Sequence, residues 1–87
     1  MYTILYAKKT KKDIQNLKSA NLDNTALKLI EVLKINPFQN PPPYEKLVGD
    51  LKNYYSRRIN IQHRLVYQVF QDEQIVKIVS LWSHYEK

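Results

Sequence analysis

Three polar features of this 87-residue chain could do chemistry together. A carboxylate, Glu45, follows the proline run Pro41-Pro42-Pro43. Basic residues crowd two β-rich stretches, Tyr55-Ser56-Arg57-Arg58-Ile59 and His63-Arg64-Leu65-Val66-Tyr67. A histidine and a tyrosine, His84 and Tyr85, end the last β-rich stretch. Carboxylate, guanidinium and imidazole are the groups needed to cleave RNA without a metal. A carboxylate takes the proton of a 2′-hydroxyl, guanidinium groups hold the charge building on phosphorus, and an imidazolium protonates the departing 5′ oxygen.

Each residue also has a plainer reading. Alone, Glu45 is a solvated loop glutamate, Arg64 a strand arginine at the open face of a sheet, His84 a frayed terminal histidine and Tyr85 an aromatic lid on a sheet edge. Strand parity separates some of these readings, because successive side chains point to opposite faces. Tyr54, Ser56 and Arg58 share one face. Tyr55, Arg57, Ile59 and Ile61 share the other, which has the isoleucines of a core side. Arg58, not Arg57, is therefore the arginine expected to join Arg64. His63 has the opposite parity to Arg64 and is expected to be structural or exposed. His84 and Arg64 share a face if an odd-length turn such as Gln71-Asp72-Glu73 joins their strands, and lie on opposite faces if the turn is even.

The elements that must position these groups fit one small domain, residues 1–87. Tyr2-Thr3-Ile4-Leu5-Tyr6 predicts a first strand. Thr10-Lys11-Lys12-Asp13 has the form of a capped helix start, for a helix from about Lys9 to Ala20 with Ile14 and Leu17 inward. Leu22, Ala26, Leu29, Ile30 and Leu33 recur at helical spacing and predict a second helix from about Asn24 to Ile35, ended by Asn36-Pro37. Residues 36–46 read as a proline-stiffened connector. Beyond Gly49, the sole glycine, strands are expected over Leu51–Ile61, His63–Phe70 and Gln74–Trp82. The fold class is α+β: an N-terminal strand, two helices, then an antiparallel β-meander with the helices packed on one face.

Composition narrows the function classes. The chain has no cysteine, and two histidines with few carboxylates are too little for a protein-built metal cage; no cofactor is expected. No apolar stretch approaches the ~20 residues that span a bilayer, so a cytoplasmic protein is the expectation. The net charge of +6, from 14 basic and 8 acidic residues, favours a polyanionic partner, and seven tyrosines offer stacking faces for unpaired bases. The same tyrosines would also fill a small core. Lys8, Lys9, Lys11 and Lys12 oppose the dipole of the helix they begin, which suits either a solvated face or contact with a polyanion such as ribosomal RNA.

Taken together, Glu45-Lys46-Leu47, Tyr55-Ser56-Arg57-Arg58-Ile59, His63-Arg64-Leu65-Val66-Tyr67 and His84-Tyr85 resemble the YoeB (Txe/YoeB) toxins of the RelE-like superfamily, in bacterial type II toxin–antitoxin modules. The resemblance follows nearly the whole chain in element order and is specific across residues 37–85. It implies a ribosome-dependent mRNA endoribonuclease that needs no metal and cuts at the codon in the A site. Products would be a 2′,3′-cyclic or 3′-phosphate and a 5′-hydroxyl. Residue by residue, it makes Glu45 the general base, His84 the general acid and Arg64 the phosphate-stabilising arginine, with Arg58, Lys46 and Tyr85 on the substrate. It implies a cognate antitoxin of the YefM/Axe kind with an acidic segment that folds on binding, ribosome and mRNA as targets, and a chain compatible with a monomer or a homodimer.

The chain departs from the family pattern in places. Tyr55 stands where Trp is common. Asn53 stands where Gly is common, a change suited to positive φ. The Arg64-to-His84 stretch is about two residues longer, most simply in the hairpin turn, and Glu86-Lys87 follow the tyrosine. Arginines beside His84 would depress its pKa, and the anionic field of a bound ribosome would restore it, which suits a toxin idle as a free protein. Two rivals keep other classes open: a ParE-like poison that binds DNA gyrase, and a non-catalytic RNA- or ribosome-binding module.

Overall fold

The computed structural model describes residues 1–47 and 53–84, the last of these as backbone. Gly49, the expected strand start at Leu51, Tyr85 and Glu86-Lys87 lie outside the described residues. The elements run β1 (Thr3–Tyr6), α1 (Thr10–Ser19), α2 (Asp23–Ile35), β2 (Glu45–Lys46), β3 (Tyr54–Arg58), β4 (His63–Phe70) and β5 (Ile75–His84). They form a five-stranded sheet in the order β1-β5-β4-β3-β2. Strands β2 to β5 are antiparallel to their neighbours, and β1 joins the edge of β5 in parallel. A parallel neighbour requires a crossover, and the two helices supply it.

Helix α1 does not begin with the expected capping box. Thr10 is buried and its hydroxyl donates to the Ala7 carbonyl at 2.6 Å, while Asp13 turns inward to β5. The helix ends in a Schellman motif. Asn21 adopts φ 58°, and the Leu22 and Asn21 amides donate back to the Leu17 and Lys18 carbonyls at 2.8 and 3.1 Å. Helix α2 stops where Asn36 becomes extended ahead of Pro37. No helix among the described residues is long and apolar enough to cross a membrane.

The core lies between the helices and one face of the sheet. Leu17, Leu29, Ile30 and Leu33 pack with Leu65, Tyr67, Val69, Val76, Ile78 and Leu81. On β4 these are the odd positions, so Arg64 and Val66 belong to the other face. On β5 the core positions change from Val76 and Ile78 to Leu81, because the strand bulges. Tyr67 pairs with Ile78 but Val66 with Ser80 and Arg64 with Ser83, so β5 accommodates two unmatched residues.

Three further expectations change. The turn between β4 and β5 is the four residues Gln71–Gln74, closed by Gln74 at φ 56°, instead of three. Ile61 is 79% exposed rather than on the core side, because β3 ends at Arg58. There the Asn60 side chain accepts the amides of Gln62 and His63 at 2.9 and 2.7 Å, turning the chain. The connector also ends early, since Glu45 and Lys46 form an edge strand against Ser56 and Tyr55.

Candidate active site

The first positioning device is a buried cation. Arg57 is 1% exposed, and its guanidinium donates to the carbonyls of Pro42 at 2.6 Å, Pro37 at 3.0 Å and Gln39 at 3.0 Å. A proline-rich segment keeps its carbonyls but gives up amide donors, so it needs donors from elsewhere. Arg57 supplies three. The Tyr67 hydroxyl adds a fourth, to Pro37 O at 2.8 Å. Burial pushes the Tyr67 phenol up to about 12, with Arg57 pulling the other way. Around this clamp Phe38, Tyr44, Tyr55 and Tyr67 pack ring to ring, and Arg57 sits 5.1 Å from the centroid of the Tyr44 ring. The connector is thereby fixed up to the residue that precedes Glu45.

On the opposite face, the register of β2, β3 and β4 gathers the candidate groups. Glu45 stands opposite Ser56, Ser56 opposite Val66, and Arg58 opposite Arg64. Arg64 Nη1 donates to Glu45 Oε1 and to Ser56 Oγ, both at 2.9 Å. The Arg64 side chain is 10% exposed and that of Glu45 66%, so the carboxylate faces solvent from a nearly buried cation. With Pro43, Tyr44 and Arg58 these residues line an open cleft of about 310 Å³. An oxyanion entering it meets two guanidinium groups, with a carboxylate beside them free to accept a proton. Among the described residues, no three His, Cys, Asp or Glu side chains cluster as a metal site would need.

The structure therefore brings Glu45, Arg64 and Arg58 together and keeps Arg57 apart from them. Lys46 is exposed on β2 opposite Tyr55 and does not line this cleft. Lys8, Lys9, Lys11 and Lys12 are exposed around the start of α1, also outside it. His63 is buried and stacked on Trp82 with centroids 3.8 Å apart, its Nδ1 3.2 Å from Asn60 Oδ1. It is structural, as its parity implies. The backbone at the end of β5 lies against the start of β4, with Ser83 opposite Arg64 and His84 opposite His63. The even turn and the two bulges thus pair His84 with His63, whose parity is opposite to that of Arg64, so the strand register does not give His84 and Arg64 the shared face expected from an odd turn. Sequence reading missed the roles of Ser56 and Arg57. A run of proline carbonyls followed by an arginine at a core-facing position is the signal that could have found the second.

Residues 6–85 match the family described as YoeB-like toxin of bacterial type II toxin-antitoxin system. A toxin named YoeB from Synechocystis sp. is 37% identical over 59 residues, which span 68% of this chain and just under two thirds, 66%, of that relative. Among solved structures, the YoeB/ParE toxin from Agrobacterium tumefaciens superposes with a TM-score of 0.84 at 29% identity, covering 98% of this chain and 100% of that one. The YoeB-YefM complex from Staphylococcus aureus contains a chain that superposes with a TM-score of 0.79 at 31% identity, covering 98% and 99%. The chain belongs to the YoeB-like toxin family of bacterial type II toxin–antitoxin systems.

Proposed function

We propose that this toxin is a ribosome-dependent endoribonuclease that cuts mRNA in the A site without a metal. The observation that carries the reading is the single cleft holding Glu45, Arg64, Ser56 and Arg58. Glu45 takes the proton of the 2′-hydroxyl as that oxygen attacks the adjacent phosphorus. Arg64, oriented by Ser56, holds the charge that grows on the non-bridging oxygens, and Arg58 adds a second cation from across the strand pair. His84 gives a proton to the 5′ oxygen as the P–O bond breaks, with Tyr85 against the substrate. The products are a 2′,3′-cyclic phosphate and a 5′-hydroxyl. Support for the nuclease reading over a purely binding toxin comes from the carboxylate. A surface built only to bind a polyanion gains nothing from a solvent-facing glutamate among its arginines.

The exposed lysines Lys8, Lys9, Lys11 and Lys12 suit ribosomal RNA, and Lys46 adds charge beside the cleft. A cognate antitoxin neutralises the toxin, a reading supported by the structural likeness to the toxin of the Staphylococcus aureus YoeB-YefM complex. An acidic segment folding over the cleft would cover the cations that hold the phosphate.

The test is primer-extension mapping of a defined mRNA in a reconstituted bacterial translation system, with and without ribosomes. The expected result is cuts in the A-site codon that need ribosomes and leave 5′-hydroxyl ends. A growth-inhibiting toxin that leaves the mRNA intact would instead point to a gyrase-binding or binding-only activity.

A further inference from the structure

Three side chains beside the cleft have the chemistry of RNA recognition but no part in the proposed acid–base step. The register places Tyr54 opposite Gln68 and Gln68 opposite Lys77, on the neighbouring strands β3, β4 and β5. All three belong to the face of the sheet that the helices leave open. Tyr54 shares its parity with Ser56 and Arg58, and Gln68 shares its parity with Arg64. Lys77 alternates with the core residues Val76 and Ile78. Tyr54 and Gln68 are half-buried and Lys77 is exposed. The adjacent Tyr55 packs into the aromatic cluster on the other face, so Tyr54 has no share in the clamp on the connector.

Along the strands the open face is built in levels two residues, or ~7 Å, apart. Arg58 and Arg64 face each other on the first level, and Glu45, Ser56 and Val66 occupy the second. Tyr54, Gln68 and Lys77 make the third. That step is comparable to one nucleotide of an extended single strand, and the order of the levels sets the polarity of a bound RNA. The scissile phosphate lies at the arginines and the attacking 2′-hydroxyl at Glu45. This hydroxyl belongs to the nucleotide on the 5′ side of the phosphate, so the base of that nucleotide reaches the third level. There a tyrosine ring offers a stacking face that every base accepts. The Gln68 amide beside it carries both a donor and an acceptor for a base edge, and Lys77 supplies a cation for the phosphate upstream.

We propose that Tyr54, Gln68 and Lys77 form the subsite for the nucleotide 5′ of the cut, with Tyr54 stacked on its base and Gln68 setting which base is preferred. The inference rests on the reading of Glu45 and Arg64 as cleaving groups.

The experiment is single-turnover cleavage of ribosome-bound mRNA, either intact or abasic at the nucleotide 5′ or 3′ of the scissile phosphate. The proteins are the full-length wild type, Tyr54→Ala, Tyr54→Phe, Gln68→Ala and Glu45→Ala. Loss of one stacked base costs about 10–100-fold, so Tyr54→Ala should cut the intact mRNA that much more slowly. Tyr54→Phe keeps the ring and should stay within about threefold of wild type. On mRNA abasic 5′ of the cut, the wild type should be as slow as Tyr54→Ala, and the substitution should cost nothing further. On mRNA abasic 3′ of the cut, the Tyr54→Ala loss should persist in full. Gln68→Ala should level the rates measured with each of the four bases at the 5′ position. If Tyr54→Ala does not fold, Tyr54→Leu, which keeps apolar bulk without a planar ring, should show the same dependence on the 5′ base. An equal Tyr54→Ala loss on intact and 5′-abasic mRNA, a loss that vanishes with the 3′ base instead, or no loss would each overturn the subsite. An unchanged ranking of bases in Gln68→Ala would overturn the role of Gln68. Intact mRNA after exposure to the wild type, or wild-type rates from Glu45→Ala, would overturn the cleavage reading itself, which separates that failure from failure of the subsite.

Discussion

Arg64 and Glu45 are nineteen residues apart in sequence, and their charged groups meet at 2.9 Å in the cleft. The same guanidinium nitrogen reaches Ser56 Oγ at 2.9 Å. The two partners differ in what they contribute. Glu45 is mostly exposed, so its pairing is screened by water and Glu45→Ala should change the unfolding free energy by less than about 1 kcal/mol. Ser56 is buried, and Ser56→Ala removes an acceptor from a nearly buried cation, at a cost of about 1–3 kcal/mol. Urea denaturation of the two variants checks the order.

The adjacent arginines 57 and 58 should part company in the same assay. Arg57→Ala strips three carbonyls of their donor and leaves a cavity in the aromatic cluster, and should cost about 3–5 kcal/mol. Arg58 is exposed at the cleft, so Arg58→Ala should cost less than about 1 kcal/mol while slowing cleavage. Equal stability losses would mean that the clamp does not hold the connector.

Tyr67 gives a pH signature. Its folded pKa of about 12 lies above the ordinary value of 10, so folding favours the protonated phenol. The associated stability is fully present below pH 10 and is lost as pH rises from 10 to 12, by about 2–3 kcal/mol. Tyr67→Phe lacks the titrating phenol, so its stability curve should stay flatter than that of the wild type across that window. At neutral pH it should cost about 0.5–1.5 kcal/mol for the lost bond to Pro37. Unfolding free energies measured from pH 8 to 12 for both proteins test the sign.

Asn53 holds φ 65°, and its carbonyl accepts the Val69 amide at 3.0 Å. Asn53→Gly should be close to neutral, whereas Asn53→Val should cost about 1–2 kcal/mol for the left-handed backbone. Thermal unfolding of the pair measures this.

What could be read from the sequence followed from periodicity and parity. The helical spacing of Leu29, Ile30 and Leu33 gave α2, and alternation put Arg58 rather than Arg57 beside Arg64. Asn53 at a turn implied its positive φ. The remainder depends on long-range partners that local pattern does not encode. Asp13 reads as a helix cap because its spacing from Thr10 fits one, yet its partner is an amide of β5. Glu45 reads as loop because two edge residues carry no alternation to detect. Ile61 reads as core by parity alone, which a turn at Asn60 cancels. The bulges of β5 could not be read at all, because register is settled by cross-strand packing.

The most direct test of the acid–base cleft is the single-turnover rate at which Glu45→Ala cuts a ribosome-bound mRNA, measured beside its affinity for the ribosome. A general base contributes about 10²–10⁴-fold, so the rate should fall by that factor while ribosome affinity stays unchanged. A Glu45→Ala toxin that cuts within about threefold of wild type would contradict the assignment of this cleft as the catalytic site.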